Sequence, residues 1–162
     1  MIFPKKYKEI ELLDKGKHGL VYKAKLKDKF VAIKTKLPSS KSQNTAILEA
    51  NYLEKVNKFN IGPKLIEKNE NYVVMEFIEG VRIDKFLETA TNEEKEKVIN
   101  NILKQLETLD KNNINKSELT NPYKHIIINK KLKPVLIDFE RARFKTKPQN
   151  VNQFKEYLKK HT

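Results

Sequence analysis

The sequence predicts an α+β fold in two parts: a five-stranded antiparallel sheet with one main inserted helix, then a truncated, mostly helical C-terminal part. Three features of the 162-residue chain lead there. Short runs of alternating or continuous apolar residues, joined by turn residues, occupy much of the first 79 positions. A single stretch with helical spacing interrupts them. After Glu79-Gly80 the strand-like runs give way to helical periodicity, so the chain divides into residues 1–79 and 80–162. A chain of this length builds one compact core or two small lobes around a cleft, and is too short for two large domains.

Glu9 to Leu13, Leu20 to Leu26 and Phe30 to Lys36 form an opening meander, joined by Lys15-Gly16-Lys17-His18-Gly19 and Lys27-Asp28-Lys29. Between Gln43 and Phe59, the residues Ile47, Leu48, Tyr52, Val56 and Phe59 draw an apolar stripe and predict a helix. Ile61-Gly62-Pro63 ends it, because glycine tolerates the exit geometry and proline cannot continue the hydrogen-bond ladder. Lys64 to Glu67 and Tyr72 to Ile78 then read as a hairpin, its second strand almost continuously apolar, as expected for a strand covered on both faces. Beyond Gly80, Ile83 to Leu87 reads as a short helix. Asn92 is placed to cap a long one bearing Val98, Ile99, Ile102, Leu103, Leu106 and Leu109. Two short strands, Ile126 to Ile128 and Val135 to Ile137, precede a last amphipathic helix with Val151, Phe154, Tyr157 and Leu158 on one side.

Composition narrows the partners. Lysine and arginine total 34 against 21 acidic residues, a formal charge of +13 that favours encounters with RNA, an acidic protein or a phosphorylated ligand. Almost all the cations are lysines scattered along the chain, unlike the basic helix or aromatic platform of a dedicated nucleic-acid reader, so much of this charge reads as solvated surface. The absence of cysteine excludes a disulfide framework and a thiolate metal site. No apolar run has signal-peptide or membrane-spanning length, which sets the expectation of a cytoplasmic protein with no membrane partner.

The residues that carry chemistry start in the first turn. Gly16 and Gly19 bracket a loop whose backbone N–H groups can approach phosphate closely. Lys34 projects from the apolar strand Val31-Ala32-Ile33, where an unpaired charge is expensive, and Glu49 on the following helix is its expected partner. Near the C-terminal end, Val135-Leu136-Ile137 delivers Asp138 at the end of a short strand, a rigid platform for a cation that takes oxygen ligands.

Gly16-Lys17-His18-Gly19-Leu20-Val21, Ala32-Ile33-Lys34, Glu49 and Met75-Glu76-Phe77-Ile78-Glu79-Gly80 together resemble the amino-terminal lobe of protein kinases, with Asp14 standing at the first position of the usual glycine loop. The Ile-Gly-Pro stretch and compactness are similar to small atypical RIO-like kinases and to the kinase of the tRNA threonylcarbamoylation complex. The resemblance implies a protein-kinase-like bilobal fold: residues 1–79 as the nucleotide-binding lobe and 80–162 as a reduced catalytic lobe. It also implies ATP and Mg2+ as cofactors. On this resemblance, Gly16, Lys17, His18, Gly19 and Lys34 hold phosphates, Glu49 orients Lys34, and Glu76, Phe77 and Ile78 contact adenine through their backbone. Val21 and Ala32 would wall the base, with Met75 either joining them or serving as sheet core.

The acceptor side departs from the kinase pattern. Lys116-Ser117-Glu118 is the best match to the kinase His-x-Asp, which puts Glu118 in the place of the catalytic base, and Tyr123 stands where the second metal ligand is expected. Asn121 and His125 are the possible replacements: Asn121 offers a carbonyl oxygen and is the expected metal ligand alongside Asp138, while magnesium makes His125 the weaker metal candidate, one that with Lys124 could instead contact phosphate or serve a structural role. Glu140 replaces the glycine of Asp-Phe-Gly; Ile137-Asp138-Phe139-Glu140 looks like the motif of aminoglycoside and choline kinases, and Glu140 either supports metal or pairs with Arg141 or Arg143. The Glu118-to-His125 stretch and the following motif also resemble a group of predicted prokaryotic serine/threonine kinases. With one clear helix expected after Asp138, little remains for docking a protein substrate. The leading expectation is therefore an ATP- and magnesium-dependent phosphotransferase acting on a hydroxyl of a small molecule or protein. The alternative is a catalytically weak, nucleotide-responsive pseudokinase or binding subunit, for which RNA is a candidate partner.

Overall fold

The computed structural model describes residues 3–16, 19–37 and 45–161. Lys17 and His18, both anticipated at the phosphate turn, lie outside the described residues. The first strands are β1 (Tyr7–Lys15), β2 (Gly19–Leu26) and β3 (Lys29–Lys36), followed by helix α1 (Thr45–Asn57) and the hairpin strands β4 (Leu65–Lys68) and β5 (Tyr72–Glu76). They form one antiparallel sheet in the order β1-β2-β3-β5-β4. Placing α1 between β3 and β4 lets β3 and β5 lie side by side, so Lys34 stands opposite Val21 on one neighbour and Val73 on the other, and Ala32 opposite Lys23 and Met75.

Alternation along β3 separates two environments. Val31 and Ile33 join Tyr7, Ala24, Tyr72 and Val74 in an apolar cluster on one face. Ala32 and Lys34 point the opposite way, toward α1 and the C-terminal part. Gly19 has a packing reason of its own, since a Cβ there would collide with the backbone carbonyl of Thr35 across the β2–β3 pair.

Helix α1 buries a different stripe from the one its largest apolar residues suggest. Ala46, Glu49, Ala50, Leu53 and Val56 face inward, whereas Ile47, Leu48 and Tyr52 are half-buried and Phe59 lies exposed beyond the helix end. Two alanines on the inner face allow close approach to the sheet, and the same rotation carries Glu49 under Lys34. Gly62, at φ +78°, turns the chain away where a side chain would meet Leu53, Val56 and Phe139.

In the C-terminal part, β6 (Val81–Arg82), β8 (Ile126–Ile128) and β9 (Pro134–Leu136) form a small sheet, and β7 (Ile114–Asn115) pairs with β10 (Arg143–Phe144). The helices are α2 (Ile83–Thr89), α3 (Asn92–Lys111) and α4 (Asn150–His161). The expected cap of α3 shifts by one residue: Thr91 is the N-cap, its side chain accepting from Glu94 N while the Glu94 carboxylate accepts from Thr91 N. This reciprocal pair satisfies two otherwise orphaned donors, which Asn92 inside the first turn could not do. The buried face of α3 consists of Val98, Ile102, Leu106 and Leu109, and Phe154 and Tyr157 of α4 are buried with it.

One continuous apolar cluster crosses the two parts. It runs from Ala50, Leu53 and Met75 through Phe139 to Ile83, Ile102 and Phe154. The result is an α+β fold with a multi-stranded N-terminal sheet and a helical C-terminal region, consistent with a kinase-like bilobal arrangement. Among the described residues, no helix is long and apolar enough to cross a membrane.

Candidate active site

A cleft of ≈ 630 Å³ opens between the sheet and the β8–β9 hairpin. Its lining includes Gly16, Gly19, Val21, Ala32 and Lys34 from the sheet and Glu49 from α1. Glu76, Phe77 and Ile78 line it from the connecting segment, and Glu118, Asp138 and Glu140 from the far side. Met75, left open between wall and core, does both: it is almost fully buried in the apolar cluster and touches the cleft. Asn121 is not brought to the cleft. It is exposed in the loop after Leu119, and the position facing Asp138 is taken by His125.

Lys34 anchors the sheet side. Its Nζ lies 2.7 Å from Glu49 Oε2 and 3.9 Å from Asp138 Oδ1. Burial alone would depress the ammonium, but Glu49 and Asp138 outweigh it and hold Lys34 well above the usual lysine range. The second oxygen of Glu49 accepts from Phe139 N at 3.2 Å. One fully buried carboxylate therefore links the sheet lysine to the backbone immediately after Asp138. Asp138 itself sits at φ +67°, a left-handed conformation that aspartate tolerates better than most residues. Burial acts to raise its pKa, but the neighbouring lysines, Lys34 foremost and then Lys116, keep the carboxylate below its usual range, that is, ionised.

The far side of the cleft holds a second charge cluster. Ser117 and Glu118 are successive left-handed residues, at φ +75° and +63°, and this turn presents the Glu118 carboxylate to the cleft. Its Oε2 lies 3.0 Å from His125 Nε2 and its Oε1 2.8 Å from Arg141 Nη1. The other ring nitrogen of His125, Nδ1, is 3.4 Å from Asp138 Oδ2. Burial and the neighbouring Lys116 push the His125 imidazole below its ordinary pKa. Glu140 moves the other way: burial and the adjacent Asp138 raise it. Neither arginine neutralises Glu140, since Arg141 pairs with Glu118 and Arg143 donates to the backbone carbonyls of Glu140 and Ala142.

These groups could hold a divalent cation. Asp138 Oδ1 is buried and has no hydrogen-bond partner, and Glu140 is pressed against Asp138 without an ion pair of its own among the described residues. Two sets of donor atoms converge on Asp138, one with Glu118 and His125 and one with Glu49 and Glu140. In the second set both Glu49 oxygens are already engaged, which leaves Asp138 and Glu140 as its free ligands.

Two supporting residues carried no signal in the sequence pattern. Lys116 is buried, donates from Nζ to the Asp138 carbonyl at 3.1 Å, and has its pKa pushed down to about 8, chiefly by burial. Asn150, fully buried at the start of α4, accepts from Lys116 N at 2.8 Å and donates to Ile114 O and Asp110 Oδ1. It holds the backbone just before Glu118. The only available hint was that Lys116 precedes Glu118 by two and Asn150 opens the last helix.

The fold and this site define the class as protein-kinase-like: a lysine–glutamate pair on a sheet and helix, facing a strand-end aspartate across a cleft. Within that class the RIO-domain family model matches residues 16–160, so the chain belongs to the RIO-domain family of atypical kinases. No curated protein is a significant match to the chain.

Proposed function

We propose that the cleft binds ATP together with a divalent cation and transfers the terminal phosphoryl group to a hydroxyl of a small molecule or protein segment. Membership in the RIO-domain family supports a phosphotransferase-like function in general. The finer reading rests on one observation: Lys34, paired with Glu49 and 3.9 Å from Asp138, sits in the same cleft as Gly16 and Gly19. In this reading, residues 1–79 hold the nucleotide and residues 80–162 present the acceptor.

Lys34 Nζ meets a phosphate oxygen, and Glu49 keeps the ammonium from turning into solvent. The backbone at Gly16 and Gly19 lies along the phosphates, the Glu76–Ile78 backbone meets the adenine edge, and Val21, Ala32 and Met75 supply apolar walls. Asp138, with Glu140 or His125, would hold the cation, whose chemistry when bound is to neutralise phosphate charge. Arg141 is well exposed and free to swing outward, which uncovers Glu118 Oε1 to take the acceptor proton while Oε2 stays on His125. The phosphorus–oxygen bond to ADP breaks, the bond to the acceptor oxygen forms, and the proton moves to Glu118.

The test is transfer of labelled γ-phosphate by the purified protein, followed in the protein itself and across small hydroxyl acceptors. Label incorporation and ADP release are expected, and both should disappear in Lys34→Met and Asp138→Asn. One observation favours a second reading, a nucleotide-responsive binding subunit: both oxygens of Glu118 are already engaged, one by the Arg141 guanidinium and one by the His125 ring. Tight ATP binding without ADP or phosphorylated product would replace the first reading by this one.

A further inference from the structure

The geometry points to a cation site in which His125 Nδ1 and Asp138 are direct ligands and Glu118 orients the imidazole, a set that selects a transition-metal divalent ion of the manganese class over magnesium. The inference rests on the reading of Asp138 as the cation-binding carboxylate and adds the identity of its second ligand and of the metal.

The argument starts from the imidazole. A neutral histidine has one N–H and one lone pair. Nε2 lies 3.0 Å from Glu118 Oε2, close enough to give its proton to that carboxylate. Nδ1 is then the lone-pair nitrogen, and it is buried without a hydrogen-bond partner. It faces Asp138 Oδ2 at 3.4 Å, and the other Asp138 oxygen, Oδ1, is buried without a hydrogen bond, with Lys34 Nζ 3.9 Å away. Two electron-rich atoms held side by side repel each other, and a cation between them relieves that repulsion. Two donors bound to one ion at about 2.1 Å are themselves about 3.0–3.4 Å apart for octahedral to tetrahedral angles, which matches this separation.

The arrangement is also pre-set by the backbone. His125 N donates to Pro122 O at 2.8 Å, and Ile137 N donates to His125 O at 2.9 Å, so the two ligands emerge from the paired ends of β8 and β9 one residue apart in register. A carboxylate on the far nitrogen of a metal-bound histidine fixes its tautomer and strengthens it as a ligand, the part Glu118 takes here. Magnesium favours oxygen ligands and gains little from imidazole; zinc, iron and nickel take imidazole best, and manganese, although it too prefers oxygen, accepts a histidine more readily than magnesium does. The oxygen-only pair Asp138 and Glu140 remains available to magnesium beside it.

Manganese binding read by electron paramagnetic resonance tests this directly. Mn2+ is added to the protein with and without a non-hydrolysable ATP analogue, and electron spin-echo modulation reports nitrogen bound to the ion. Nitrogen modulation is expected in the wild type, changing from the 14N to the 15N pattern when histidine is 15N-labelled, a readout that needs no variant. In His125→Gln the modulation should vanish, and Mg2+ should displace Mn2+ on the order of tenfold more easily. Bound Mn2+ that is lost in Asp138→Asn but never shows nitrogen modulation would overturn the inference and leave the cation reading of Asp138 standing. Failure to bind Mn2+ in any condition would overturn both.

Discussion

Glu49→Ala removes two contacts from one buried side chain. The carboxylate is 1 % exposed; one oxygen pairs with Lys34 at 2.7 Å and the other accepts from Phe139 N at 3.2 Å. Breaking a buried ion pair by deleting one partner costs about 3–5 kcal/mol. Lys34 keeps Asp138 at 3.9 Å and is partly exposed, which brings this toward the lower end. The stranded Phe139 N–H adds about 1–3 kcal/mol. A loss of about 4 kcal/mol is expected for alanine. Glu49→Gln can keep its one oxygen on Phe139 N–H but then turns its NH2 toward the Lys34 ammonium, so it recovers only the stranded N–H and should cost about 3 kcal/mol. Urea unfolding of the three proteins at neutral pH, with the slope checked for constancy, measures both differences. Equal losses for alanine and glutamine, or an alanine loss below about 1 kcal/mol, would refute the claim that Glu49 joins the sheet to the Asp138 segment.

The two glycines of the first turn should respond oppositely. Gly19→Ala drives a Cβ into the Thr35 carbonyl and should cost about 1–3 kcal/mol, whereas Gly16→Ala meets its nearest atom at 3.6 Å and should stay within about 0.5 kcal/mol; equal thermal stabilities would contradict the packing account of Gly19. Lys116 predicts a pH effect. Its folded pKa, about 8, lies below the usual 10.5, so between these values the unfolded chain binds more protons and stability rises with pH. Lys34 and Tyr7, both raised, lose their contributions only above pH 10, leaving the window from pH 8 to about 10 to Lys116. The full effect is about 3 kcal/mol, and in chelator Lys116→Met should flatten the rise. An identical pH profile in wild type and variant would exclude this role.

The sheet was legible because its strands alternate and its turns carry glycine or charged residues; β1 to β5 follow the apolar runs to within about two residues. Helix α1 shows where size misleads. Ile47, Leu48 and Phe59 are larger than Ala46 and Ala50, yet the smaller residues face the sheet because the helix must approach closely enough for Glu49 to reach Lys34. The Thr91 cap was legible in principle, since Thr91-Asn92-Glu93-Glu94 has the Thr-x-x-Glu spacing of a capping box, but asparagine's own capping preference drew the reading one residue on to Asn92. Strands β7 and β10, two residues each, are too short to have any period.

On the site, Lys34, Glu49 and Asp138 could be singled out because charge in an apolar strand or at a strand end demands a partner. Asn121 was chosen by side-chain chemistry and proximity to Glu118 in sequence, but the loop through Pro122 turns it to solvent and carries His125 back to Asp138. Lys116 and Asn150 act through backbone groups, at Asp138 O and Lys116 N, and such roles leave no residue pattern to read.

ATP binding in the presence of a divalent cation, measured calorimetrically on the wild type, Lys34→Met and Asp138→Asn, tests the central claim most directly. A charge-assisted bond from Lys34 to phosphate is worth about 1.5–3 kcal/mol, so Lys34→Met should weaken binding on the order of tenfold to a hundredfold. Asp138→Asn should weaken it only when the cation is present. A wild type that does not bind ATP, or a folded Lys34→Met that binds it as tightly as the wild type, would contradict the account.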